Sequence, residues 1–321
     1  MSRKFKAFNA KIMLFGEYSV IRGSMGFSVP YTHFKGELDY HFKGQYTDYD
    51  FAVQSNKMLR DYTVHLQELT NENKIPCRID LKALQEDLDN GLYFESTIPQ
   101  GYGLGSSGAL VASIYDAYAT DKMSLAGSAA KEGIQDLKNT FSMLESYFHG
   151  TSSGIDPLMC YLGSSIIIQG PGEISISEIS TKQITENRAL FLINTGKPGK
   201  TEPLVKHFMK ACEDPDYDRL INETLIPTNN QCIQALLDSD YDTFDRQLIN
   251  LSAFQFDHFR PMIPEQFLPL WEEGLKDQKL VLKLCGSGGG GFLLGFSPDY
   301  ETARERLKKS KKNFITVYKK S

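Results

Sequence analysis

The stretch Pro99-Gln-Gly-Tyr-Gly-Leu-Gly-Ser-Ser-Gly-Ala-Leu110 places four glycines and two serines between an apolar strand-like run, "GLYFESTIP", and an alanine-rich segment with helical spacing. Strand, glycine loop and helix in that order define a phosphate cradle. Glycines let successive backbone N–H groups converge on one point, and the helix that follows adds the positive end of its dipole. Ser106 and Ser107 stand where the helix begins, so their hydroxyls can cap it, touch a phosphate oxygen or reach a magnesium ion. The alternative is a serine-capped turn with no ligand.

Two common phosphate signatures fit this chain poorly. Gly103 to Gly108 satisfies G-x-G-x-x-G, but a dinucleotide site needs a second strand ending in an acidic residue, and here the next segment is helical again. Asp121 falls near the helix end instead. The run "GKPGKT" from Gly196 to Thr201 resembles the tail of a Walker loop, yet Asn194 occupies the place of its first glycine.

Outward from the loop, Val53 to Asn71 carries Met58, Leu59, Tyr62, Leu66 and Leu69 at helical intervals. Ser124 to His149 reads as two helical segments, the second stopping at Gly150. Near the start, "KIMLFGEYSVIRGSMGFSVPY" reads as a strand, a turn at Gly16-Glu17 and a short apolar run ending at Pro30, and "HFKGELDYHFKG" as a further strand. "SSIIIQ" and "ALFLINT" are strand-like, Leu204 to Leu251 is mainly helical, and "LVLKLCGSGGGGFLLGF" sets a second glycine loop between two apolar runs. The tail ends in strand-like "FITVY". Gly170 to Asn187 is the expected domain crossover, which gives domains of 1–175 and 176–321.

The 321 residues are 41% hydrophobic and 23% charged, with a formal net charge of -5. That balance gives no electrostatic case for nucleic acid, and an anionic ligand would need locally gathered cations. Five widely spaced cysteines without a C-x-x-C pair support neither a disulfide framework nor a zinc site and read as buried thiols. No segment approaches a membrane-spanning length or reads as a cleaved leader, so the expected compartment is the cytoplasm.

Two further constellations bear on chemistry. Glu145 lies near the end of a predicted helix, and Asp156 follows the turn His149 to Gly154; a reversal there would aim both carboxylates at one cleft. Phosphoryl transfer uses such a pair in different roles, one holding magnesium and one beside the acceptor hydroxyl. The competing reading makes Asp156 a turn cap before Pro157 and Glu145 a surface residue. Lys11, at the start of an apolar strand, is either a snorkelling lysine or a charge facing Asp156 that favours a developing alkoxide. His149 reads as a helix-end residue. Lys197, Lys200 and Arg22 are candidates for an acidic substrate.

Three ordered motifs, "KIMLFGEYSVIRG", "PQGYGLGSSGA" and "KLCGSGGGGF", resemble the signatures of the GHMP kinases. Within that superfamily "ESYFHGTSSGID" is similar to the mevalonate kinase segment in which a glutamate precedes H-G-x-P-S-G-x-D. The resemblance implies an ATP- and magnesium-dependent phosphotransferase acting on a small carboxylic acid that carries an alcohol. It implies an α+β fold of two domains, the first with a left-handed βαβ crossover and the second a ferredoxin-like α/β plait, with ATP lying between them. Position by position, it implies Gly103, Leu104, Gly105, Ser106, Ser107 and Gly108 at the nucleotide phosphates and Ser107 and Glu145 on magnesium. Asp156 and Lys11 fall at the acceptor hydroxyl, Thr201 near the transferred phosphate, and Glu17 and Tyr18 in the acceptor pocket. Neither nucleic acid nor membrane is an expected partner, and a homodimer is left open. Three positions depart from the mevalonate kinase pattern: Tyr18 follows Gly-Glu where histidine is usual, as in phosphomevalonate kinases; Ser152 replaces a proline; and Gly108 replaces an alanine. A non-catalytic nucleotide-binding regulator with the same fold is the reading of another class.

Overall fold

The computed structural model describes residues 4–41, 48–123, 130–170, 173–177 and 188–318. They form two compact units. The first is built from 1–11, 30–99 and 104–164, the second from 12–29, 100–103 and 165–321. Two strands, β1 (Phe8–Phe15) and β2 (Gly26–Tyr40), run from one unit into the other. Pro30 therefore lies within a 15-residue strand rather than at its end. β2 pairs with β4 through Ser28 and with β3 from Gly36, and Pro30 belongs to neither of these registers.

In the first unit the outer half of β2 pairs antiparallel with β3 (Leu92–Ser96), from Gly36 opposite Ser96 to Tyr40 opposite Leu92. Among the described residues five helices accompany them: α1 (Tyr49–Asn71), α2 (Leu81–Asp89), α3 (Ser106–Tyr118), α4 (Ala130–His149) and α5 (Ile155–Leu162). Asp48 and Asp80 cap α1 and α2 by accepting from Phe51 N–H and Ala83 N–H. The buried stripe of α1 is Ala52, Ser55, Leu59, Tyr62, Leu66 and Leu69, with Met58 left half-buried at its margin. Tyr62 ties α1 to α4 by donating to the Leu144 carbonyl at 3.0 Å. Helix α3 is buried without a break from Gly108 to Tyr115, as expected of a helix enclosed by others. Only one helix is described between Ser124 and His149, since 124–129 lie outside the described residues.

In the second unit the start of β2 pairs with β4 (Ser165–Ile168), and β4 pairs with β5 (Ile174–Ser177). The rest of the expected crossover from Gly170 to Asn187 falls largely outside the described residues. A second, antiparallel sheet follows, built from β6 (Ala189–Asn194), β7 (Val281–Leu284), β8 (Phe292–Ser297) and β9 (Phe314–Tyr318) in the order β7-β8-β6-β9. Its helices are α6 (Thr201–Ala211), α7 (Pro215–Leu220), α8 (Ile226–Leu237), α9 (Tyr241–His258), α10 (Leu268–Asp277) and α11 (Tyr300–Lys309). A π turn, Ile221–Leu225, joins α7 to α8. Pro227 accounts for it: proline has no N–H to offer four residues back, and its ring needs the wider turn. The unit's core includes Trp271, whose indole N–H donates to Ser252 Oγ at 2.9 Å.

All five cysteines are free; Cys77, Cys160, Cys232 and Cys285 are buried and Cys212 partly so. Among the described residues no helix is long and apolar enough to cross a membrane.

Candidate active site

In the first unit the loop enters α3 through Gly105, which caps the helix in the left-handed region at φ 78°. No side chain caps α3, so its first-turn amides are left to other partners. A Cβ at Gly105 would lie 3.1 Å from Lys11 Cγ, and Lys11 N–H donates to the Leu104 carbonyl at 3.0 Å. Strand β1 is thus fixed against the loop where its lysine emerges. Lys11 Nζ then meets Asp156 Oδ1 at 2.8 Å, with the lysine side chain 7% exposed and the aspartate 35%.

Asp156 is placed by a glycine. Gly154 caps α5 at φ 72°, and a Cβ there would sit 2.1 Å from the Lys138 carbonyl oxygen and 2.7 Å from Ser142 N, both in the backbone of α4. Only glycine lets the chain turn back against α4 at that distance. Ser142 Oγ donates to the Ser152 carbonyl at 2.5 Å, which closes the reversal. The expected convergence of Glu145 and Asp156 on one region follows from this turn.

Glu145 is buried, 3% exposed, and both of its oxygens are engaged. Ser107 Oγ donates to Oε1 at 2.9 Å and Ser152 Oγ donates to Oε2. Burial pushes the carboxyl up to about 7, and the Asp156 charge adds to the shift while the two serines and Lys11 oppose it. Two residues of this cluster escaped the sequence reading. Ser152, at the place of a proline in the mevalonate kinase pattern, supplies a hydrogen bond that proline cannot. His149 places Nε2 3.1 Å from Ser107 Oγ; a histidine at a helix end gives no sequence signal that it faces a serine 42 residues earlier.

Among the described residues no group of three or more His, Cys, Asp and Glu is placed to hold a metal. One carboxylate and one hydroxyl, Glu145 and Ser107, are instead hard oxygen donors of the kind that bind magnesium together with substrate phosphates. The donor set fits such an ion and does not fit a metal caged by protein alone.

The second unit holds Glu17, Tyr18 and Thr201. Glu17 is buried in an ion pair with Lys283, Oε1 to Nζ 2.5 Å, with both side chains at most 1% exposed. Burial raises the Glu17 carboxyl despite the lysine. Lys283 also donates to the Leu284 carbonyl at 2.8 Å. Tyr18 adopts φ 64° and donates to the Ser287 carbonyl at 2.5 Å, and Thr201 Oγ1 lies 3.0 Å from Ser287 Oγ. The turn after β1 and the start of α6 therefore both meet the second glycine loop. Gly103 also belongs to this unit, where a Cβ would lie 3.2 Å from the Cys285 carbonyl. Arg22 is paired with Asp218, so its charge is already engaged.

Residues 77–164 match the family model of the GHMP kinases N terminal domain. That segment and the two-unit α+β architecture are similar to those of the GHMP kinases, which are phosphotransferases acting on hydroxyl groups. Among solved structures, L. major mevalonate kinase in complex with R-mevalonate is 17% identical, with 98% of this chain and 95% of that chain covered at a TM-score of 0.61. Streptococcus pneumoniae phosphomevalonate kinase in complex with phosphomevalonate and AMPPNP is 15% identical, with 98% and 100% covered at 0.63. Lactococcus lactis galactokinase with galactose is 14% identical, with 98% and 93% covered at 0.60. At these identities the likeness is one of fold. No curated protein matches by sequence.

Proposed function

We propose that this chain is an ATP- and magnesium-dependent kinase that phosphorylates the alcohol of a small carboxylic acid, with mevalonate as acceptor. The observation that carries the reading is the Lys11–Asp156 contact, in the same unit as the Ser107–Glu145 oxygen pair at the start of α3. A protein that only bound nucleotide would have no use for a partly exposed carboxylate held by a buried lysine.

Ser107 and Glu145 would hold the magnesium ion, which when bound offsets negative charge on the phosphates. Gly103 to Gly108 and the first-turn amides of α3 would take phosphate oxygens. The Asp156 carboxylate would accept the acceptor hydroxyl's hydrogen bond and aim its oxygen, and the Lys11 ammonium would offset the charge that grows there. In phosphoryl transfer such positioning matters more than full proton abstraction. Thr201, Glu17 and Tyr18 belong to the other unit, where Glu17, enclosed with Lys283, holds the turn that carries Tyr18.

Tyr18 favours a second reading, phosphomevalonate as acceptor. ADP release should be measured with mevalonate, phosphomevalonate, homoserine and galactose in turn. Turnover with mevalonate is expected. Turnover with phosphomevalonate alone would make Tyr18 the better guide to specificity. Nucleotide binding without turnover of any acceptor would replace the kinase with a binding protein.

A further inference from the structure

The Ser107 hydroxyl has one proton and two lone pairs. Its neighbours are Glu145 Oε1 at 2.9 Å and His149 Nε2 at 3.1 Å. A buried carboxylate oxygen that loses its donor carries the full cost of desolvation, whereas an exposed imidazole finds water instead. Glu145 is buried and His149 exposed, so the serine proton belongs to Glu145. His149 can then meet the same oxygen only as a donor.

We propose that His149 is a positioning residue: its Nε2–H occupies one lone pair of Ser107, fixing the hydroxyl so that the proton points at Glu145 and the second lone pair is presented to the metal. The inference rests on the kinase reading for its purpose but on the hydrogen-bond geometry for its content. Oriented partners behind a metal ligand commonly contribute a factor of roughly ten or more to affinity. For one exposed partner about five- to tenfold is expected.

The geometry around His149 supports the role. His149 is the last residue of α4, four residues after Glu145, so the helix carries both of Ser107's partners on one face. Gly150 follows in the left-handed region at φ 70°. Its N–H donates to the Ser146 carbonyl at 2.8 Å, which ends the helix at that residue and fixes where the imidazole starts.

The test uses the full chain with a non-hydrolysable ATP analogue and Mn2+ titrated by electron paramagnetic resonance, so binding is read without turnover. His149→Ala should weaken Mn2+ binding about five- to tenfold, and His149→Gln, whose amide N–H can still donate, should stay within about twofold of the parent. Long-range 1H–15N spectra above pH 8 should show the Nε2–H tautomer for the resonance that His149→Gln removes. Parent-like Mn2+ binding in His149→Ala, equal losses in the Ala and Gln variants, or an Nδ1–H tautomer would each overturn the proposal. If no acceptor is turned over but the Mn2+ pattern holds, the kinase reading falls and His149 keeps its role. If turnover is found and the pattern is absent, only the role of His149 falls. A parent chain that binds no Mn2+ with nucleotide removes both.

Discussion

Gly108 offers the sharpest test of how the carboxylates are placed. A Cβ built there would lie 2.7 Å from the Asp156 carbonyl carbon, 2.8 Å from Pro157 N and 3.0 Å from the Asp156 oxygen. Ordinary contact begins at 3.4 Å, so Gly108→Ala must part α3 from the first turn of α5 by at least about 0.7 Å, against backbone that cannot swing aside. Two terms then oppose each other in stability. Overpacking costs about 1–3 kcal/mol, and replacing glycine inside a helix returns close to 1 kcal/mol. The melting temperature should therefore fall only modestly. Rate is affected differently, because the displaced turn carries Asp156 away from Lys11 and from the end of α3. A misplacement near 1 Å costs on the order of a hundredfold in a reaction that depends on positioning. The expected result is a 10- to 100-fold loss of kcat at saturating substrates, read by coupled ADP release beside a thermal melt. A variant with parental kcat and an unchanged or raised melting temperature would refute the claim that this backbone contact sets the position of Asp156. Alanine is usual at this position in the mevalonate kinase pattern, so the intolerance expected here is a property of this chain's own α3–α5 approach.

Asp156→Asn should lower turnover roughly a hundredfold or more while nucleotide affinity, measured by calorimetry, stays within a few fold. Glu17→Gln leaves the Lys283 ammonium buried without its carboxylate and should cost about 3–5 kcal/mol in urea unfolding, whereas adding Lys283→Met should recover a large part of that loss. Recovery failing entirely would mean that the pair is not the source of the cost. The Glu145 carboxyl, near 7 in the folded chain against an ordinary 4.5, keeps a proton that the unfolded chain releases. Its contribution to stability is therefore full below pH 4.5 and is lost as pH rises through 7, by an amount on the order of 3 kcal/mol. Urea unfolding from pH 5 to 8 without divalent metal should show this slope, and Glu145→Gln should flatten it.

Much of this arrangement was legible in the sequence because it rests on local signals. The glycines before Ser106 announced a curled loop leading into α3, and the alanines after it announced a helix. The reversal between Glu145 and Asp156 could be read from Gly150 and Gly154. What was hidden depends on contacts between distant segments. Nothing in "KLCGSGGGGF" marks Lys283 as the partner of a glutamate 266 residues away, and Ser152 looked like a simple departure from a family pattern until its bond to Glu145 was visible. Pro30 misled for the opposite reason: a local strand-breaking rule did not hold at a position outside the β3 and β4 registers.

Two contacts between a buried lysine and a carboxylate show why residue type alone does not define a site. Lys283 and Glu17 are both enclosed, and the lysine's remaining reach goes to a backbone carbonyl. Such a pair fixes structure, since any approach to it would open the core. Lys11 is nearly as enclosed, yet Asp156 keeps about a third of its side chain in solvent. A charge held in the interior and aimed at a reachable carboxylate orients that group without consuming it. The same asymmetry recurs at Ser107, half-buried between the enclosed Glu145 and the exposed His149. In each case an accessible oxygen, of Asp156 or of Ser107, is held by a more enclosed partner and remains able to meet a ligand. Chemistry in this unit is thus expected where pairs straddle the surface, and under the proposed function an overall negative charge would be no obstacle, because attraction for phosphate would come from oriented backbone amides and the oxygen donors' fit to magnesium rather than from a surplus of cations.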